Sequence, residues 1–119
     1  MGVKALLPLP HLSFHILLAV ADGPLHGWSI IRWIEDTRAG PVPSTGSLYI
    51  AMLRLERQGL LVEAPPPKGA DAEPRAERRR YYKLTRLGRD VLRAESARLS
   101  HLVEIAARKQ LTPRRAEGH

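Results

Sequence analysis

Residues 44–64 read STGSLYIAMLRLERQGLLVEA, and this stretch decides the fold. Ser44 or Thr45 can cap a helix by accepting a backbone N–H from its first turn. Leu48, Met52 and Leu55 follow at i, i+4 and i+7, the spacing of a buried helical stripe. Gly59 stands where a C-terminal cap belongs, and Leu60 to Ala64 is a short apolar run suited to a strand. A helix therefore hands over directly to a strand.

Upstream, His11 to Ala21 (HLSFHILLAVA) spaces Leu12, Ile16, Ala19 and Val20 helically, and Asp22-Gly23-Pro24 stops the helix. A second helix is expected from about Leu25 to Thr37, with Ile30, Ile31 and Ile34 on one side, before the rigid turn Ala39-Gly40-Pro41-Val42-Pro43. Downstream, Pro65 to Glu77 is rich in Pro, Ala and charge and reads as a mobile loop. Arg79 to Leu84 alternates, with Tyr82 and Leu84 on one face and Arg79, Tyr81 and Lys83 on a wet face. The two strands form a hairpin with a long tip. Thr85 can cap a last helix that runs to about Leu111, where Thr112-Pro113 ends it. The expected fold is mainly α with a minor β part: three helices, a two-stranded hairpin and a long helix, the winged helix-turn-helix plan. It divides into an N-terminal arm (1–10), the winged domain (11–84), a C-terminal dimerisation helix (85–112) and a disordered tail (113–119).

Composition narrows the chemistry. One domain accounts for 119 residues, and 19 Lys and Arg against 12 Asp and Glu give a formal charge of +7. Such a balance favours polyanions, nucleic acid or an anionic membrane surface. The absence of Cys removes disulfides and thiolate metal sites. No apolar run approaches the ~18 residues of a membrane span, and the interrupted first ten residues do not suit a signal peptide, so the cytoplasm is the expected compartment. No nucleophile–base pair, paired carboxylates or phosphate loop is visible, and neither catalysis nor a cofactor is expected. His11 and His15 have a metal-compatible spacing, but no third ligand is evident beside them except the distant His101; they read as surface or interface residues, and no metal is expected.

Charge position points to double-stranded DNA. The buried stripe of the third helix leaves Ser47, Ile50, Leu53, Arg54 and Arg57 on the other side, with Tyr49 on the flank. A recognition helix presents donors near its N-terminus, a role that suits Ser44, Thr45, Ser47 and Tyr49. An ordinary amphipathic helix with Ser and Thr caps is the alternative. Arg78, Arg79 and Arg80 adjoin the second strand, where a wing would bring them to the DNA backbone or minor groove; a solvated charged loop is the bland reading. On the last helix, Leu92, Leu99, Leu102, Val103 and Ala106 form an apolar stripe suited to a second copy, unless helix one alone covers it. Trp28 and Trp33 are candidates for lining a pocket for a small aromatic effector, with boundary core as the other reading.

Several separated motifs together resemble the PadR-type transcriptional regulators. They are Pro24-Leu25-His26-Gly27-Trp28, Gly46-Ser47-Leu48-Tyr49, Leu55-Glu56 with Gly59-Leu60, and Arg80-Tyr81-Tyr82-Lys83-Leu84-Thr85 with Gly88. The resemblance covers about residues 12 to 105. It implies a winged helix, a homodimer formed through the C-terminal helix and helix one, and repression at an inverted repeat. By resemblance, Tyr49 contacts a phosphate, Tyr81 and Tyr82 anchor the wing, and a flat ligand can lie between subunits. The chain departs from the pattern at Ile50 (often Pro), Trp28 (usually Tyr) and Leu53 (commonly polar or basic). Ile50 and Leu53 can touch thymine methyls, or pack under the wing or against a partner. With a single helix after the wing, the chain resembles the compact branch. A winged-helix module that binds protein or nucleic acid without sequence specificity is the alternative function.

Overall fold

The computed structural model describes residues 2–69 and 79–113. Residues 70–78, the wing candidate Arg78 among them, and residues 114–119 lie outside the described residues. The elements run α1 (His11–Ala19), β1 (Leu25–His26), α2 (Gly27–Thr37), α3 (Thr45–Arg57), β2 (Leu61–Ala64), β3 (Tyr81–Leu84) and α4 (Arg86–Arg108), with a 3-10 turn at Val3–Leu6. The winged helix-turn-helix plan stands: α1, α2 and α3 enclose the core, the strands follow, and α4 returns across α1 and β3.

Local chemistry sets the helix starts. Ser44 is the N-cap of α3, its Oγ accepting from the Ser47 N–H at 3.1 Å. Thr85 caps α4 by accepting from the Gly88 N–H at 2.9 Å and donates its own proton to the Gly59 carbonyl at 2.5 Å. The Thr85 side chain thus ties the end of α3 to the start of α4. Ile16, Leu17, Ile30, Ile34, Leu48, Met52, Leu55, Leu60 and Val91 are fully buried and make the core.

Gly88 sits where α4 crosses the turn after α3. A Cβ built there would stand 2.1 Å from the Leu60 carbonyl oxygen, a backbone atom that cannot swing aside. Gly88→Ala should therefore destabilise the fold by roughly 1–3 kcal/mol, the usual cost of overpacking. Thermal unfolding would show it, and an unchanged Tm would mean that α4 can lift off Leu60 freely.

Some expectations need correction. The second helix starts at Gly27, because Leu25 and His26 form β1 and pair antiparallel with Tyr82 and Tyr81. The hairpin is accordingly a three-stranded sheet of order β1-β3-β2. With β3 in the centre, Tyr81 does not lie on a wet face: it is as buried as Tyr82 and meets the His26 ring edge-on, with centroids 5.2 Å apart. The N-terminal arm packs on the domain, with Leu6 and Leu9 in the core. Finally, α4 ends at Arg108 rather than near Leu111, and Gln110 takes a left-handed φ of 60° just beyond it.

Glu95 holds the N-terminal segment in place. Its buried carboxylate accepts the Leu9 N–H at 2.8 Å and two Arg98 guanidinium hydrogens at 2.5 and 3.0 Å. The Arg98 hydrogen bond, seconded by the Leu9 amide, outweighs burial and holds the carboxyl below its ordinary value. A carboxylate with a depressed folded-state pKa adds stability above its unfolded pKa and loses it as pH falls through the folded value. Glu95→Ala should cost about 1–3 kcal/mol at neutral pH by stranding the Leu9 N–H, and should flatten the loss of stability in acid. Denaturation followed from pH 7 downward checks both; parallel pH profiles for the two proteins would contradict this role.

Candidate nucleic-acid interface

The geometry of α3 separates core from outward face. Leu48, Ala51, Met52 and Leu55 are buried, whereas Ser44, Thr45, Ser47, Tyr49, Ile50, Leu53, Arg54 and Arg57 are all exposed. The hydroxyl residues cluster at the N-terminal end, and Arg54 and Arg57 occupy the last turn. Arg54 and Arg57 line a shallow concavity with Ile50, Leu53 and Gln58.

The wing joins this face. A groove of about 510 Å³ runs between α2, α3 and β3, lined among others by Trp28, Tyr49, Leu53, Glu56, Arg79 and Arg80. Tyr49, Arg79 and Arg80, drawn from distant parts of the sequence, therefore share one surface. His26 organises the base of the wing: its ring accepts from the Ser29 N–H at 3.4 Å, capping α2, and its Nε2 lies 3.2 Å from the Arg79 guanidinium. Sequence reasoning missed this role, because a strand of two residues has no periodicity to announce it. Burial, reinforced by Glu56, pushes the Tyr82 phenol above its usual value.

The other candidates disperse. Trp28 is 69% exposed at the rim of the groove, whereas Trp33 packs against the core. Five positions apart on α2, they point about 140° away from each other and do not form one pocket. His11 and His15 stand with ring centroids 6.5 Å apart. Among the described residues, no three His, Cys, Asp or Glu side chains are grouped to hold a metal. Burial, then His11, lowers the His15 pKa.

The expected dimer stripe divides in two. Leu92 is 6% exposed and belongs to the chain's own core, so it is removed from the proposed seam. It lies on the part of α4 that crosses β3 and α1, which the sequence pattern could not distinguish from the free part. Leu99 and Ala106 are half-buried, while Leu102 and Val103 are exposed. Among the described residues, no helix is long and apolar enough to cross a membrane.

The family model of the PadR-like transcriptional regulators matches residues 16–94, from α1 through the wing into α4. The chain belongs to this family. An uncharacterized 37.1 kDa protein in transposon TN4556 of Streptomyces fradiae is 40% identical over 90 residues, which is 73% of this chain but only 22% of that protein's length. A PadR-like transcription factor from Bacteroides fragilis has 26% identity and a TM-score of 0.65, over 89% of this chain and 96% of that one. The Bacillus subtilis PadR crystallised with operator DNA has 20% identity and a TM-score of 0.57, over 73% of this chain and 47% of that one. In this PadR-family chain, the motif residues Tyr81 and Tyr82 are buried in the central strand, and the motif residue Tyr49 is exposed and lines the same groove as Tyr82.

Proposed function

We propose that this PadR-family regulator is a homodimeric repressor that binds an inverted-repeat operator through α3 and the wing. The observation that carries the reading is the single surface on which α3 presents Tyr49 and Leu53 beside Arg79 and Arg80 of the wing. The formal charge of +7 favours the same partner. Ser44, Thr45, Ser47, Tyr49, Arg54 and Arg57 would meet phosphates and base edges, and Arg78, Arg79 and Arg80 the backbone beside them. The likeness of fold to a PadR crystallised with operator DNA supports DNA as the partner. Leu99, Leu102, Val103 and Ala106 would form the seam between copies, in the cytoplasm where the promoter lies. The test is selection of bound fragments from genomic DNA. A shared palindromic motif supports the reading, and even recovery of all fragments would favour a module without sequence specificity.

Control by a planar aromatic effector belongs to the same proposal, now confined to Trp28. A flat ligand stacked on this indole would occupy the groove beside Tyr49 and Arg80 and so compete with DNA. In a Trp33→Phe variant, an effective compound should quench the remaining Trp28 and weaken operator binding together. Because the two would share one surface, operator DNA should in turn displace the compound and restore the fluorescence. If a screen of planar compounds yields none that does both, effector control is refuted and the repressor reading stands.

A further inference from the structure

The outward ridge of α3 runs Gly46, Ile50, Leu53 and Arg57, at i, i+4, i+7 and i+11, opposite the buried stripe. Its middle is apolar: Ile50 is 64% exposed and Leu53 47%, on a strongly basic chain. Neither side chain can bond a phosphate. In the major groove, the base-edge group that suits an aliphatic side chain is the thymine C5-methyl.

Gly46 adds an independent observation. A Cβ placed there meets nothing within 4 Å, and its backbone is not left-handed, so the chain's own fold has no need of glycine at this point. Glycine in a helix is less stable than alanine, yet it stands on the ridge one turn before Ile50. A missing side chain facing open space acts on whatever approaches from outside. It lets that surface come close to the helix backbone.

We infer that Ile50 is a specificity determinant that reads thymine: it covers a C5-methyl in each half-site, and Gly46, lacking a side chain, lets the first turn of α3 sit close enough for that contact. Ser47 and Arg54 on one flank, with Tyr49 on the other, supply the polar contacts that hold the register. The inference rests on the DNA-binding reading above and names what its recognition helix selects.

The test takes a fragment selected from genomic DNA and replaces its thymines one at a time by deoxyuridine, which removes only the methyl. The parent protein should lose about fourfold in affinity at one thymine of each half-site, the worth of one buried methyl. Ile50→Ala should bind more weakly and no longer distinguish that thymine from deoxyuridine. Gly46→Ala should lose about tenfold in affinity while its Tm equals or exceeds the parent's. Indifference of the parent to every deoxyuridine would overturn the inference, as would full sensitivity persisting in Ile50→Ala. So would a Gly46→Ala protein with lowered Tm and parental affinity. If selection enriches no fragment at all, the sequence-specific reading itself falls, a result distinct from each of these.

Discussion

Leu102→Glu combined with Val103→Glu is expected to turn the protein into a monomer and to lower its operator affinity by about a hundredfold or more. The four core positions of α4, Gly88, Val91, Leu92 and Glu95, all lie in its first half. The helix continues to Arg108, so its second half extends past the chain's own core. Leu102 and Val103 are 47% and 58% exposed there, flanked by the half-buried Leu99 and Ala106. Glutamate is a good helix former and both sites are exposed, so α4 should persist and the Tm of the monomer fold should change little. Two carboxylates in an apolar seam lose hydration without gaining partners, which opposes association strongly. DNA affinity falls because two linked recognition helices bind with a combined strength that neither reaches alone, commonly 10²–10⁴ above a single one. Light scattering reports the mass. A dimer mass unchanged by the double substitution would move the seam off α4.

Arg79→Ala with Arg80→Ala is expected to weaken binding to all DNA sequences alike, by roughly ten- to a hundredfold, the range for hydrogen bonds to charged groups. Removing one Arg–phosphate pairing should also reduce the slope of log affinity against log salt by about 0.9, so the double substitution should remove nearly two units. The two side chains are not equivalent. Arg79 stands against the His26 ring, so its loss also disturbs the cap of α2, whereas Arg80 is exposed. Arg80→Ala alone should remove one phosphate pairing together with the Arg80 hydrogen bond to Tyr82, and leave the cap of α2 intact. If affinity and salt slope both survive the double substitution, Arg79 and Arg80 do not touch the backbone.

The parts of the molecule legible in the sequence were those that local chemistry fixes. Ser44 and Thr85 cap helices with bonds to residues three positions on, and Leu48, Met52 and Leu55 bury at the spacing that marks them. The parts that escaped depend on partners far along the chain. Two residues at Leu25–His26 form a strand only because β3, more than fifty positions later, supplies the other half of the ladder. That pairing also buries Tyr81, against a reading from alternation alone. Glu95 looks like one more charge on a solvated helix until Leu9 arrives from 86 residues away to bond it. Leu92 and Leu102 share a residue type on one helix, and only the packing of β3 and α1 separates core from free surface. Arg79, Arg80 and Tyr49 were each legible as candidates, but their convergence on one groove was not.

Two copies of the proposed repressor are expected to set paired recognition helices on an inverted repeat. Hydroxyl-radical footprinting of a selected fragment, with the stoichiometry measured alongside, tests it most directly. Two chains per site and two protected patches related by a two-fold axis are expected, with centres about 10–10.5 base pairs apart or a multiple of that. Protection by one chain per site, or an unbroken footprint without symmetry, would contradict it.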